Sequence, residues 1–278
     1  MIGDLHCHTR ISDGSMGLED VIFYAKRGGL DFVGITDHDS LAGISRAGVL
    51  GQRYGMRVVG GVEMSCIDNA RGRRVHILCY LPKHPDRLEG ICKRTLESRT
   101  AAGREMIKKV CAMYPVTAEH INRCVAGSKS IYKAHIMQAL IELGYTDRIY
   151  SQLFTTLLSE REGSCHVAHE YPDVHTVLKT VHLAGGVVVL AHPHEYDSFD
   201  LAQELAEQGM LDGIEYRHPR CPRQAAEQIS QLAEHYGLIK TGGTDFHGAY
   251  SSCPNPIGTC VTTGEDLDKL FKLAKERK

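Results

Sequence analysis

The sequence predicts an α/β fold on a mainly parallel sheet, either a barrel or a doubly wound arrangement. Three observations predict it. Short apolar runs alternate with segments whose apolar residues recur at helical spacing. The chain has 278 residues, 42% hydrophobic and 24% charged, enough for one large domain or one domain with an elaborate insertion. Histidines and carboxylates fall repeatedly at the ends of the apolar runs.

The elements follow in order. "IGDLH" reads as a buried strand that begins at once, with nothing preceding the fold. His6 and His8, at spacing two, leave the same face of an extended chain; Cys7 points the other way into the core. "LEDVIFYAKRGG" is a helix with a glycine stop, "DFVGITDHD" a strand and "SLAGISRAGVLGQRYG" a second helix. The strands "RVVGGVEMS" and "RRVHILCYL" come next. From Pro82 to Cys165 the strand signals stop, and "LEGICKRTLESRTAAGREMIKKVCAM" and "IYKAHIMQALIELG" predict a helical insertion over 83–165 that covers the site. The barrel parts are then 1–82 and 166–278. The second part resumes the rhythm with "DVHTVLKTVHLAGG", "VVVLAHP", "FDLAQELAEQG", "LDGIEYRHP", "PRQAAEQISQLAEHYG" and "LIKTGGTDFHG". A closing helix near "GEDLDKLFKLAKERK" ends in a charge run that reads as solvated surface. The double glycines at 28–29, 60–61, 185–186 and 242–243 mark helix ends and close packing rather than phosphate loops.

Charge and cysteine content narrow the function classes. A net charge of −2 gives no global argument for a polyanionic partner. The segment 83–165 carries thirteen Lys/Arg against nine Asp/Glu and is the mildly basic part; the remainder, with nineteen against twenty-five, is acidic. No apolar run has the length of a membrane span, and the N-terminus lacks an export signal. Ten cysteines with no CxxC pair therefore read as reduced thiols in the cytoplasm.

The chelating residues carry the functional argument. Beyond His6, His8 and Asp13, "DFVGIT" ends in Asp37, His38 and Asp39, "RVVGGV" in Glu63, "GGVVVLA" in His192 and "LIKTGG" in Asp245 and His247. His76 is the exception, inside its strand. C-terminal strand ends are the functional face of parallel barrels. Imidazole and carboxylate together suit zinc, manganese or iron, and so many ligands exceed the needs of one tetrahedral ion. Glu63, between the two histidine groups in chain order, is the candidate bridge. His120, His175, His182 and His235 lie in helix-like segments and read as core residues. Asp37 reads as an orienting neighbour of the ligands.

"DLHCHTRISDG", "ITDHD", "GVEMS", "VHILCY", "VVVLAHP", "GIEYRHP" and "GGTDFHG" resemble the successive motifs of the polymerase and histidinol phosphatase (PHP) family. The resemblance runs from residue 3 to about residue 250, interrupted by the insertion. It implies a distorted (β/α)7 barrel with a small, mainly helical insertion and two to three divalent ions (Mn, Zn or Fe) at its mouth. One metal would take His6, His8, Glu63 and Asp245. A second would share Glu63 and add His76 and His192, and a third would take Asp13, His38 and His247. Some relatives have histidine in place of Asp13.

The implied activity is a phosphoric ester hydrolase. It would act on a small phosphorylated metabolite such as a nucleotide or ribose phosphate, or a cyclic phosphodiester opened and then dephosphorylated, through a hydroxide between metals. Asp13, His38, Glu63, Asp245 and His218 are the catalytic candidates. Arg99, Arg104, His135, His194 and His218 are the substrate-binding candidates. The leaving oxygen needs a proton, and His218, His194 and His135 are the open choices. Many relatives continue "AHP" with glycine and arginine, whereas this chain has His194-Glu195-Tyr196, so Arg217 or Arg220 is the candidate replacement. Three rivals have their own signals. An exonuclease on short RNA or DNA would want a basic channel with aromatic platforms, and the insertion has no tryptophan and a small charge excess, which argues against extended nucleic acid. A non-catalytic module should have lost ligands. An amidohydrolase-type metal domain would cleave amides or lactones.

Overall fold

The computed structural model describes residues 1–277. Its eight strands are β1 (Ile2–Asp4), β2 (Phe32–Ile35), β3 (Arg57–Asp68), β4 (Arg73–Tyr80), β5 (Val187–Leu190), β6 (Gly213–Arg217), β7 (Ile239–Gly242) and β8 (Thr262–Thr263). They form one sheet in the order β7-β6-β5-β4-β3-β2-β1-β8. The ends nearly close into a barrel. Leu5 N donates to Gly242 O at 3.3 Å, and Cys7 pairs with Phe246 just past β1 and β7.

The pairing is parallel for β1–β2, β2–β3, β5–β6 and β6–β7, as strand-helix-strand connections require. Uniform parallel pairing does not hold throughout. No helix separates β3 from β4, so a short turn returns the chain and β4 lies antiparallel to both β3 and β5. Strand β3 consequently continues to Asp68, and Glu63 sits inside it rather than at its end. The short β8, antiparallel to β1, has no signal in the sequence beyond two threonines.

The helices α1 (Leu18–Arg27), α2 (Ile44–Tyr54), α7 (Val174–Leu183), α8 (Phe199–Glu207) and α9 (Arg223–Tyr236) alternate with the strands. Their ends follow local chemistry. Asp173 caps α7 by accepting from His175 N and Thr176 N, and Gly55 and Gly237 end α2 and α9 in the left-handed region. Strand alternation sorts the core. Leu78, Tyr80, Val187 and Val189 pack together with Leu267 and Leu270 of α10 (Gly264–Glu276), while Ile77, Cys79, Val188 and Leu190 face α7 and α8. Cys7 is fully buried in the core on the side away from His6 and His8. Lys278, the end of the C-terminal charge run, lies outside the described residues.

Four helices intervene between β4 and α7: α3 (Asp86–Met113), α4 (Ala118–Val125), α5 (Lys133–Glu142) and α6 (Gln152–Leu158). The 28 residues of α3 join two cores. Leu88, Ile91 and Cys92 pack with the barrel helices, whereas Met106, Ile107 and Val110 pack with Ile136, Leu140 and Leu157. A helix of that length spans about 42 Å, so α3 carries the other three helices out over the barrel mouth.

Candidate metal centre

Nine side chains from separate elements converge at the mouth. His6, His8 and Asp13 follow β1, His38 follows β2, Glu63 and His76 come from β3 and β4, His192 follows β5, and Asp245 and His247 follow β7. Glycine makes the approach possible: a Cβ on Gly243 would stand 2.2 Å from His6 Cβ, so only a residue without one lets the β7 end lie against the β1 end. Backbone strain gathers here. Asp39, His192 and Asp245 have φ of 52°, 23° and 50°, a region that favours glycine, and they hold it at the strand ends where side chains must turn inward.

Glu63, 0% exposed, is the hub. Its Oε2 lies 3.1 Å from His6 Nε2, 3.0 Å from His8 Nε2 and 3.2 Å from His38 Nδ1. Its Oε1 lies 2.7 Å from His76 Nδ1 and 2.9 Å from His192 Nε2. Asp245 Oδ1 is 3.5 Å from His6 Nε2 and 3.3 Å from His8 Nε2. Asp13 stands 3.4 Å from His247 Nε2 and 4.0 Å from His38 Nε2. Two groups with metal-ligating geometry are therefore His6, His8, Glu63, Asp245 and His8, Asp13, His38, His247, with His38, Glu63, His76 a third.

The electrostatics follow from crowding. Burial alone would raise the Glu63 pKa, but the surrounding His38, His6 and His76 hold it well below the usual carboxylate range, and His247 and His6 do the same for Asp245. Burial opposes charge on His8, yet the neighbouring Asp245 and Glu63 carboxylates raise its pKa to about 10. Burial dominates at His38 and His76, which are lowered.

A cation fits this arrangement. His6 Nε2, His8 Nε2, His38 Nδ1, Glu63 Oε2 and Asp13 Oδ1 are buried without a hydrogen-bond partner. Orphaned lone pairs aimed at a common volume are costly in a protein interior unless a ligand satisfies them. Imidazole with carboxylate is the donor set of zinc, manganese and iron.

The supporting groups were only partly legible. Asp37 accepts from Thr9 N (2.7 Å), Thr9 Oγ1 (2.8 Å) and Ser12 Oγ (2.6 Å), so it fixes the loop after His8 rather than a ligand ring. Glu215, which the sequence reading missed, is 1% exposed and bonds both His6 Nδ1 (3.0 Å) and His192 N (2.9 Å). Its place near the end of β6, where other strands end in ligands, was the available signal.

A cavity of about 280 Å³ opens over the centre, lined by Arg74, Arg99, Lys133, Tyr196 and Arg220 among others. Arg99 reaches it from α3, with Nη2 donating to Asp39 Oδ2 at 2.8 Å and Ser65 Oγ at 3.0 Å. His218 is buried, its Nδ1 accepting from Arg220 N at 3.3 Å and its Nε2 facing Asp245 Oδ2 at 3.5 Å. Arg220 also reaches Asp245 Oδ2, at 3.1 Å, and pairs with Glu195. Of the two arginines offered as replacements, Arg220 lines the cavity; Arg217 is exposed, its guanidinium 5.6 Å from the Tyr216 ring. His194 packs on His218 with ring centroids 4.9 Å apart, and burial lowers its pKa to about 4.

Two expected substrate contacts fall elsewhere. Arg104 is exposed and lines a separate groove beside Glu97 and Lys129, because five residues beyond Arg99 turn a helix by about 140° to another face. His135 turns back to accept from Tyr132 N at 3.2 Å at the start of α5, and it lines an adjoining cavity with Arg10 and Tyr250. The four helix-borne histidines are likewise not core: His235 is exposed, His175 and His182 are half-buried, and His120 pairs with Glu142 at 2.7 Å near the surface.

Fold and site together define a metal-binding hydrolase barrel. The chain belongs to the PHP domain family, which matches residues 4–249. Among curated relatives it is 38% identical over 257 residues to a phosphoribosyl 1,2-cyclic phosphate 1,2-diphosphodiesterase of Eggerthella lenta, covering 92% of this chain and 97% of that protein. It is 28% identical over 253 residues to a 5'-3' exoribonuclease of Haemophilus influenzae, covering 88% and 89%. Among solved structures, a protein of Bifidobacterium adolescentis assigned as a metal-dependent phosphoesterase superposes with a TM-score of 0.89 at 27% identity, covering 98% and 96%. No helix among the described residues is long and apolar enough to cross a membrane.

Proposed function

We propose that this phosphoesterase hydrolyses a small phosphorylated metabolite, a ribose phosphate or cyclic ribose phosphate before a nucleic-acid end. The observation that carries the reading is the joining of two features in one cavity: orphaned imidazole and carboxylate atoms around Glu63, and a ring of cationic side chains around them. Cations beside a metal centre suit an anionic phosphoryl group, and an amide or lactone would leave them unused. The greater similarity to the cyclic phosphate diphosphodiesterase supports the ribose class, and the cavity volume of about 280 Å³ supports a mononucleotide-sized ligand. The exoribonuclease relative keeps very short oligonucleotides as the second reading.

Three ions would be held by His6, His8, Glu63 and Asp245; by Glu63, His76 and His192; and by Asp13, His38 and His247. Manganese, zinc or iron there would supply Lewis acidity, lowering the pKa of a coordinated water and neutralising phosphoryl oxygens. Glu63 belongs to the first two sets, with Oε2 beside His6 and His8 and Oε1 beside His76 and His192. Arg220 and Arg99 orient the phosphoryl oxygens. Because His218 Nδ1 accepts a backbone hydrogen, its Nε2 carries the proton and donates a hydrogen bond to the leaving oxygen. The helical segment 83–165 acts as an insertion that covers the site and excludes bulk water, with Tyr132 and Lys133 lining the cavity. Ten free cysteines suit a reducing, cytoplasmic compartment.

Turnover of a panel tests this: cyclic and acyclic ribose phosphates, nucleoside monophosphates, a tetranucleotide, and amides and lactones. The expected result is hydrolysis of the small phosphate esters ahead of the tetranucleotide. Preference for the tetranucleotide would favour the exonuclease, and turnover confined to amides or lactones would overturn the proposal.

A further inference from the structure

The helical segment carries a second set of chelating groups, away from the barrel centre. "AEHINRCV" forms α4, and His120 and Cys124, four residues apart, leave the same face of that helix. Thr117 caps α4 by accepting from His120 N at 3.1 Å, which fixes the backbone at the first of the two. Ile121 of α4 packs with Ile136 and Leu140 of α5 in the core of the segment. That packing brings Glu142, the last residue of α5, to both His120 and Cys124.

The geometry is that of a small cation site. His120 Nε2 lies 2.7 Å from Glu142 Oε2, and Cys124 Sγ lies 3.8 Å from Glu142 Oε1. One donor atom from each of the three residues stands within 4.8 Å of the other two. Ligand atoms on a tetrahedral zinc stand about 3.3–3.8 Å apart, so small side-chain rotations close this triangle on an ion. Gln138 Nε2 donates to Glu142 Oε1 at 3.0 Å and orients the carboxylate. Gln138 and His120 hold the Glu142 carboxyl below its usual range, whereas burial and Glu142 push the Cys124 thiol up to about 11. An ion pair with His120 accounts for Glu142 but not for a thiol held against the same carboxylate, which suits the thiol only when a cation lies between them. A cavity of about 260 Å³, lined by Cys124 and Glu142 together with Arg10, His135 and Tyr250, opens on the pair and leaves room for a further ligand. Thiolate with imidazole selects zinc over magnesium and calcium.

We propose that His120, Cys124 and Glu142 form a mononuclear zinc site, separate from the barrel centre, with water in the fourth position. Binding forms bonds to His120 Nε2, Cys124 Sγ and a Glu142 oxygen. The thiol proton leaves to solvent, the His120 ring keeps its proton on Nδ1, and no electron is transferred. The ion fastens the end of α5 to α4. Tyr132 and Lys133, at the start of α5, line the cavity over the barrel centre, so the site holds the covering segment in shape without touching the reaction. The inference is independent of which ester the barrel hydrolyses.

Cobalt(II) reads the site without reference to turnover, because a thiolate–cobalt bond gives a near-ultraviolet charge-transfer band that nitrogen and oxygen ligands do not. The barrel set contains no cysteine, and Cys7, between two of its histidines, is turned into the core. The full chain, stripped with chelator and reloaded with cobalt, should show the band, and added zinc should bleach it. Cys124→Ser should abolish the band and lower the zinc content by one equivalent per chain. His120→Ala should shift the band to cobalt concentrations at least about 10-fold higher. Asp245→Ala, which disturbs the barrel centre, should keep the band. The zinc-dependent rise in Tm should be smaller in Cys124→Ser than in wild type by roughly 5 °C. No band in wild type, a band that survives Cys124→Ser, or unchanged zinc content in that variant would overturn the site. An equal zinc-dependent rise in both proteins would overturn the fastening of α5 to α4.

Discussion

Glu215→Gln isolates how the barrel prepares a ligand, because it changes one atom and keeps the shape. Glu215 Oε2 accepts from His192 N at 2.9 Å, a bond that only an oxygen can make. The glutamine must therefore place its carbonyl there and present its NH2 to His6 Nδ1, 3.0 Å away. That contact requires His6 Nδ1 to become the acceptor, which moves the ring proton to Nε2. Yet Nε2 is the atom that faces Glu63 at 3.1 Å and Asp245 at 3.5 Å, so the substitution blocks the lone pair a metal would use. The lost charge-assisted bond contributes about 1.5–3 kcal/mol. With the adverse tautomer the total reaches the upper end of the roughly 10- to 100-fold loss typical of such orienting groups. Elemental analysis after equilibration against a graded chelator series would read it, with circular dichroism confirming the fold. Glu215→Ala, which imposes no tautomer, should retain more metal than the glutamine variant in spite of the cavity it leaves. Metal retention in Glu215→Gln equal to wild type would refute the tautomer argument.

Two further outcomes follow from the geometry. Asp245→Ala and His192→Ala should each lose most of the bound metal and nearly all turnover while far-ultraviolet circular dichroism stays native. Full activity in either, measured on the best ester of the panel, would count against the metal assignment. Arg99→Ala leaves Asp39, 1% exposed, as a buried carboxylate without its guanidinium, and should cost about 3–5 kcal/mol in urea unfolding. Arg99→Lys should recover part of that, because one ammonium can donate to both Asp39 and Ser65, as Nη2 does, but loses the Nη1 contact with Tyr132 Oη and the guanidinium's place over the Tyr132 ring.

The alternation of apolar runs with helical periodicity carried most of the architecture, since each barrel element is short, local and bounded by glycine or a capping residue. The β3–β4 return escaped because "DNARG" signals a turn without saying that the next strand pairs backward, and antiparallel pairing changes no side chain's face. The ligands were legible for a physical reason: a histidine or carboxylate placed at the end of a buried strand has no solvated alternative, so its position implies a partner. Arg104 and His135 show the opposite case. Polar residues on helices have two or more faces open to them, and spacing along α3 or capping at α5 decides which is used.

The same reasoning explains why Glu215 and Arg74 were invisible. Each lies within three residues of a position the sequence pattern did mark, His218 and His76, and each works through a neighbour: Glu215 by fixing which nitrogen of His6 is free, Arg74 by lying over the Tyr196 ring. Such groups leave no spacing of their own, because their partners come from strands far apart in the chain, 209 residues in the case of Glu215 and His6. What reveals them is charge counted in three dimensions. Glu215 takes two hydrogen bonds in a dry interior, and the His6 Nε2 it leaves without a partner is the imbalance that only a cation resolves.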